Sequence, residues 1–215
     1  MASKSKLQKF AELADNPIVF EKNNAMKGKW NTSFFKNNHP IVIELACGKG
    51  DYTLGMAKLF PEKNFIGVDI KGNRLWSAAR VANLENLTNV AFVREQIDQL
   101  ENYFDAGEVS EIWITFSDPF PRKGDAKRRL TSQKFLPIYK KIIQANGIIH
   151  VKTDSDLLYE FTKEMLAIIP STILKDYADV YAMQKNDELY GIQTYYEKMH
   201  LRDNRTIKYL RFQLI

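Results

Sequence analysis

The sequence predicts an α/β fold: a mostly parallel, doubly wound sheet with crossover helices on both faces and an antiparallel strand at one edge. Three observations carry this. Five apolar runs rich in β-branched residues (41–45, 64–70, 90–93, 111–116 and 148–152) alternate with stretches of helical periodicity. Glycine and proline punctuate the joints, at Gly48, Gly50, Pro61, Gly147 and Pro170. The last two strand-like segments, about 172–183 and 206–214, have no long helix between them, which suits antiparallel pairing.

Residues 1–39 are polar and basic and read as an N-terminal extension, with one short amphipathic segment around Leu7, Phe10 and Leu13. Residues 40–215 read as the main domain. Ile41–Leu45 is a buried strand that stops at Gly48 and Gly50. Asp51 can cap the next helix, which runs to about Phe60 and ends at Pro61. Asn64–Ile70 is the second strand, and 73–85 a helix with Leu75, Ala78, Ala79 and Ala82 on one face. Val90–Val93 is the third strand, and Ile97–Phe104 a short helix. Glu111–Phe116 is the fourth strand, and a polar, basic loop covers 117–131. A helix over about 132–145 has Gly147 just past its end. Ile148–Lys152 is the fifth strand, and the helix Leu157–Ile168 stops before Pro170.

Composition excludes several classes. With 45% hydrophobic and 27% charged residues, the 215-residue chain is neither disordered nor fibrous. One cysteine, Cys47, rules out an internal disulfide and a Cys-rich zinc site, and it reads as a small packing residue. His39, His150 and His200 lack metal-ligand spacing, so no metal is expected. The start, Met1-Ala2-Ser3-Lys4-Ser5-Lys6, lacks the apolar core of a signal peptide, and no apolar run nears membrane-spanning length. A cytoplasmic protein with no membrane partner is expected. Charge is segregated. Residues 122–141 carry Arg122, Lys123, Lys127, Arg128, Arg129, Lys134, Lys140 and Lys141 against Asp125, while 85–118 carry a strong acidic excess. Such a basic stretch suits a polyanionic partner or, more blandly, a solvated loop.

Ligands of doubly wound sheets bind at the carboxyl ends of the strands. The first strand runs into Glu44-Leu45-Ala46-Cys47-Gly48-Lys49-Gly50, where glycines allow positive φ and close approach of a ligand. The second ends in Asp69, placed to accept ribose hydroxyls. The dinucleotide frame Gly-x-Gly-x-x-Gly reads here Ala46-x-Gly48-x-x-Asp51, and an acid at that helix start repels a pyrophosphate. The Glu-x-Gly-x-Gly-x-Gly frame used for S-adenosylmethionine (SAM) matches better, with Ala46 for the first Gly. SAM has no phosphate, and its ammonium group tolerates acids. Glu95, Gln96 and Asp98 come after the third strand, where an adenine edge would lie.

The fourth strand ends in Phe116-Ser117-Asp118-Pro119-Phe120-Pro121, with Arg122 and Lys123 directly after it. Two prolines stiffen this loop around Asp118, and Phe120 offers a ring to a base. From Ser117 through Lys127-Arg128-Arg129-Leu130 the segment resembles the Asp-Pro-Trp-Pro-Lys-Lys…Lys-Arg-Arg-Leu signature of the bacterial tRNA (guanine-N7)-methyltransferase family. Gly28-Lys29-Trp30-Asn31, Lys152-Thr153-Asp154 and Thr194-Tyr195-Tyr196-Glu197-Lys198 resemble further motifs of that family in the same order, so the likeness spans residues 28–199.

The resemblance implies a Rossmann-like class I SAM-dependent methyltransferase acting on N7 of a guanine in the tRNA variable loop. It implies SAM as cofactor, held by Glu44, Gly48, Gly50, Asp69, Gln96 and Asp118, with Asp118 also catalytic. It places Arg122, Asp154, Thr194 and Glu197 on the guanine and nearby RNA. Ala46 stands for a usual Gly, Gln96 for Asp or Asn, Phe120 for Trp, and Gly124-Asp125 for Arg-His. Guanine N7 has an in-plane lone pair and no proton to lose, so such an enzyme works by positioning and electrostatics. Two other readings stay open. One is methylation of an exocyclic amine, from the likeness of Asp118-Pro119-Phe120 to the loop of those enzymes. The other is an RNA-binding protein on a catalytically silent SAM fold. The sequence leaves monomer or homodimer undecided.

Overall fold

The computed structural model describes residues 4–21, 25–182 and 192–215. The chain forms two compact units, residues 1–105 and 106–215.

In the first unit, four parallel strands lie in the order β1-β4-β3-β2: β1 is Val19–Glu21, β2 Ile41–Leu45, β3 Asn64–Val68 and β4 Val90–Arg94. Every residue of β2 and β3 is buried, as a strand covered on both faces requires. The α-helices of this unit among the described residues are α1 Lys6–Ala14, α2 Asp51–Leu59 and α3 Gly72–Leu84, and Ile97–Asn102 forms a short 3₁₀ helix. The face of α3 expected to be apolar, Leu75, Ala78, Ala79 and Ala82, is fully buried.

The stretch before Pro40 is more structured than its polarity suggests. Ser5 caps α1 in a reciprocal capping box with Gln8. Trp76 of α3 donates its Nε1 to Glu12 at 2.9 Å, fastening α1 to α3. The short strand β1 pairs with β4, Val19 opposite Phe92. Residues Trp30–Phe35 form a single π-helical turn. Trp30 is fully buried, touches the rings of Phe20, Phe34, Phe35 and Phe104, and donates its Nε1 to the Tyr103 carbonyl at 2.8 Å.

In the second unit the order is β5-β6-β8-β7: β5 is Val109–Thr115, β6 Ile143–Thr153, β7 Ser171–Tyr177 and β8 Lys208–Leu214. β5 and β6 are parallel, while β8 is antiparallel to both β6 and β7. The expected parallel strands with an antiparallel edge are therefore present. Helices α4 (Leu136–Ile142), α5 (Asp156–Ile168) and α6 (Tyr195–Arg202) complete the unit. Trp113 stacks on His150 at 3.8 Å between ring centroids, His150 Nδ1 meets the Tyr209 hydroxyl at 2.7 Å and its Nε2 lies 3.4 Å from Glu111 Oε2, so this histidine is a core group.

Several boundaries differ from expectation. The helix expected over 132–145 is α4, which ends at Ile142, because Ile143 already pairs with Val109 in the sheet. Residues 144–147 bulge from that strand, with Asn146 at φ 64°, so Gly147 lies in a bulge and not after a helix. The helix starts late because Pro137, lacking an N–H, fits only its first turn. Asp51 does not cap α2: left-handed Gly50 holds the cap position and Asp51 is the first helical residue. The strand expected over 172–183 ends at Tyr177, and residue 183 lies outside the described residues.

Trp30→Ala should lower the unfolding free energy by about 3–5 kcal/mol, the cost of emptying a buried aromatic site. Urea denaturation measures this. A change below about 1 kcal/mol would mean the segment before Pro40 adds nothing to the core.

Candidate active site

In the first unit, β2 and the segments after β2, β3 and β4 carry five of the six expected cofactor residues, Glu44, Gly48, Gly50, Asp69 and Gln96, while Asp118 belongs to the second unit. The turn after β2 carries Ala46, Gly48 and Gly50 at φ 55°, 59° and 71°. Glycine is strongly favoured at Gly50, where the backbone is left-handed and a Cβ would lie 3.0 Å from Ala78 Cβ and 3.2 Å from the Phe92 ring. At Gly48 a Cβ would meet only Arg74 Nη1, at 3.9 Å. Gly48 therefore keeps one side of the turn open for a bound group. Ala46 takes the same left-handed conformation without glycine's freedom, at a cost of about 1 kcal/mol.

The carboxylates hold the turn from beneath. Asp69 Oδ2 accepts the Gly48 N–H at 2.8 Å, and its Oδ1 accepts the Lys71 N–H at 2.7 Å. One buried side chain thus ties the turn after β2 to the turn after β3. Glu44 Oε2 accepts the Thr53 N–H at 2.9 Å and also the Thr53 hydroxyl. This satisfies one of the donors left unpaired at the start of α2, a task usually done by the cap residue. Cys47 is buried between these groups, and burial followed by the Glu44 and Asp69 charges pushes its thiol well above the usual range. Such a thiol packs and does not react. After β4, Glu95 is occupied by the Gln96 N–H at 2.9 Å and the Tyr103 hydroxyl at 3.2 Å, while Gln96 is exposed.

In the second unit, β5 and β6 end at a pocket of about 940 Å³ whose lining includes Phe116, Asp118, Asp154, Tyr196 and His200. Asp118 is exposed. Its Oδ1 accepts the Phe120 N–H at 2.9 Å. The residues two positions to either side of it are backbone outliers: Phe116 at φ 48° and Phe120 at φ 41°. Bulky side chains rarely adopt this conformation, and such strain gathers at functional loops. Asp154 Oδ2 accepts Arg205 Nη1 at 2.8 Å and lies 3.5 Å from His200 Nδ1.

Thr194 and Glu197 do not line the pocket. Thr194 is the cap of α6, its hydroxyl accepting the Glu197 N–H at 3.1 Å. Glu197 is fully buried, with Oε1 2.6 Å from Lys152 Nζ and accepting the Tyr181 hydroxyl at 2.7 Å. Burial pulls the Lys152 ammonium pKa down, opposed by the Glu197 charge. This pair joins α6 to β6 and so places Tyr196 and His200. Arg122 is exposed at the start of the turn Lys123–Arg128.

Sequence reasoning missed Phe116, Tyr196 and His200 as pocket walls. The readable signal was the spacing of Tyr196, Met199 and His200, which puts them on one helical face.

The family profile Methyltransf_4, described as "Putative methyltransferase", matches residues 38–210. A tRNA (guanine-N(7)-)-methyltransferase of Bacteroides thetaiotaomicron is 46% identical over 98% of this chain and 86% of its own length. One from Christiangramia forsetii is 45% identical over the whole of both chains. Among solved structures, the 16S rRNA methyltransferase KamB superposes with a TM-score of 0.64 at 14% identity, covering 85% of this chain and 91% of its own. That likeness shows the fold, the Rossmann-like one of SAM-dependent methyltransferases.

Ala46→Gly should raise stability by about 0.5–1 kcal/mol, since glycine relieves the left-handed strain. A higher thermal midpoint is the expected reading; a lower one would mean the Ala46 methyl packs more than it strains.

Proposed function

The chain belongs to the tRNA (guanine-N7)-methyltransferase family, and from that premise we propose how its residues divide the work of methylating a guanine in tRNA. SAM, when bound, supplies an electrophilic methyl that the lone pair of guanine N7 can take without any proton being removed. The turn at Gly48 and Gly50 gives SAM its bed, with Asp69 for the ribose hydroxyls, Gln96 for the adenine edge, and Glu44 keeping the start of α2 in place. The open side of Gly48 supports this, since a methyl group there would enter free space. Two carboxylates in the same unit suit a cationic sulfonium group as they would not suit a phosphate.

The observation that carries the substrate reading is the pocket that brings Asp118 and Asp154 together with the rings of Phe116, Tyr196 and His200. Aromatic faces hold a base by stacking, worth about 1–3 kcal/mol. Carboxylates accept the N1–H and N2–H of a guanine Watson–Crick edge. Adenine offers an acceptor at N1, and an unmet buried partner costs about 1–3 kcal/mol. The base therefore has to leave its stack to enter. Asp118 also stabilises the positive charge that the purine gains as N7 is alkylated.

Arg122, Lys123, Lys127 and Arg128 are exposed beside this loop and meet the RNA phosphates. Thr194 and Glu197 serve the substrate indirectly, by capping α6 and anchoring it on Lys152, which keeps Tyr196 and His200 at the pocket wall. No helix among the described residues is long and apolar enough to cross a membrane.

Asp118→Ala should lower kcat for methyl transfer to tRNA by about 10²–10³-fold, the effect of removing one preorganised electrostatic group. SAM affinity, read by calorimetry, should change little. Full turnover in this variant would remove Asp118 from the reaction.

A further inference from the structure

Arg129 belongs by sequence to the basic run 122–141, which points as a whole to RNA phosphates. The structure gives it another occupation. It is 6% exposed, whereas Arg122, Lys123, Lys127 and Arg128 all face solvent. Its Nε donates to the Pro119 carbonyl at 2.9 Å and its Nη2 to the Phe120 carbonyl at 3.0 Å. The guanidinium carbon lies over the ring of Phe161 in α5, 4.4 Å from its centroid.

These two carbonyls belong to the turn that presents Asp118. Phe120 is held at both of its backbone polar groups: its N–H by Asp118 Oδ1 and its C=O by Arg129. It is also one of the two left-handed aromatic residues that flank Asp118. A bulky residue in that region persists only where its surroundings over-determine it. A planar fork that binds two successive carbonyls supplies such a constraint, and a single ammonium cannot reproduce it.

We propose that Arg129 is a positioning residue that holds the Asp118 loop in its strained, reaction-ready shape, and that it does not bind RNA. The functional part of this rests on Asp118 acting at the reacting base.

The test compares Arg129→Lys with Lys127→Ala in the full chain. Arg129→Lys keeps the charge and loses the fork. It should lower kcat about 10–100-fold, the scale of a misplaced catalytic group. Its tRNA Kd and the salt dependence of that Kd should stay unchanged. Lys127→Ala should weaken tRNA binding and reduce the salt slope by about one phosphate contact. Unchanged kcat in Arg129→Lys, with weaker tRNA binding and a smaller salt slope, overturns the proposal.

A second measurement needs no variant. In the unmodified protein the Arg129 Nε–H should exchange slowly with solvent, and its NMR signal should not move when tRNA is added. A fast-exchanging Nε–H that shifts on tRNA addition overturns the proposal even if Arg129→Lys does not fold. This readout also separates the two readings. If Asp118→Ala is fully active, the role of Asp118 fails, while slow Nε–H exchange still shows Arg129 clamping the loop.

Discussion

Left-handed backbone at the ends of the strands is the constraint on which the site depends. An α/β strand must turn sharply into the next element, and the atoms that meet a ligand lie on that turn. Here the turn after β2 has three alternate positions in the left-handed region, Ala46, Gly48 and Gly50, and the loop after β5 has two, Phe116 and Phe120. Only two of these five are glycines. The others need side chains to hold them. Asp69 and Glu44 brace the surroundings of the first turn through backbone N–H groups. Asp118 and Arg129 brace the second from both sides of Phe120.

The same residues therefore serve structure and chemistry. Asp69 fixes two turns with both of its oxygens, and in the proposed reading the remaining lone pairs meet the ribose hydroxyls. Asp118 uses one oxygen on its own loop, which fixes the orientation of the carboxylate that the proposed reading sets against the base. Such preorganisation is how a site stabilises developing charge without rearranging during the reaction. Asp154 stands differently, in contact with Arg205 and near His200, so its charge is already balanced within the pocket wall. The buried pair of Lys152 and Glu197 works one layer behind, through α6.

Much of the fold was legible for a simple reason. Parallel strands buried on both faces appear as unbroken apolar runs, and Ile41–Leu45 is one. The strand β1 was not legible, because three half-buried residues carry no periodicity. The border of α4 and β6 was misread because Ile142, Ile143 and the nearby Asn146-Gly147 pair resemble a helix end in composition. Pairing of Ile143 with Val109 overrides that local preference. Among the candidate site residues, Asp69 and Asp118 could be singled out from their places at strand ends, and Asp154 from the resemblance of Lys152-Thr153-Asp154 to a family motif. Tyr196 and His200 were not, since a polar helix of eight residues shows its face weakly. Nor could a run of like charges reveal that Arg129 turns inward while Arg128 does not. The distinction lies in tertiary contacts: Arg129 reaches the Pro119 and Phe120 carbonyls over the ring of Phe161, whereas Arg128 stays exposed, over the Phe120 ring and paired with Asp125.

The most direct test is transfer of labelled methyl from SAM to tRNA lacking the modification, with the product nucleoside identified by mass spectrometry. The expected labelled product is 7-methylguanosine, because in the proposed reading the pocket offers acceptors to a guanine edge and leaves N7 as the nucleophile. Label on an exocyclic amine, or no transfer by a protein that binds both SAM and tRNA, would contradict it.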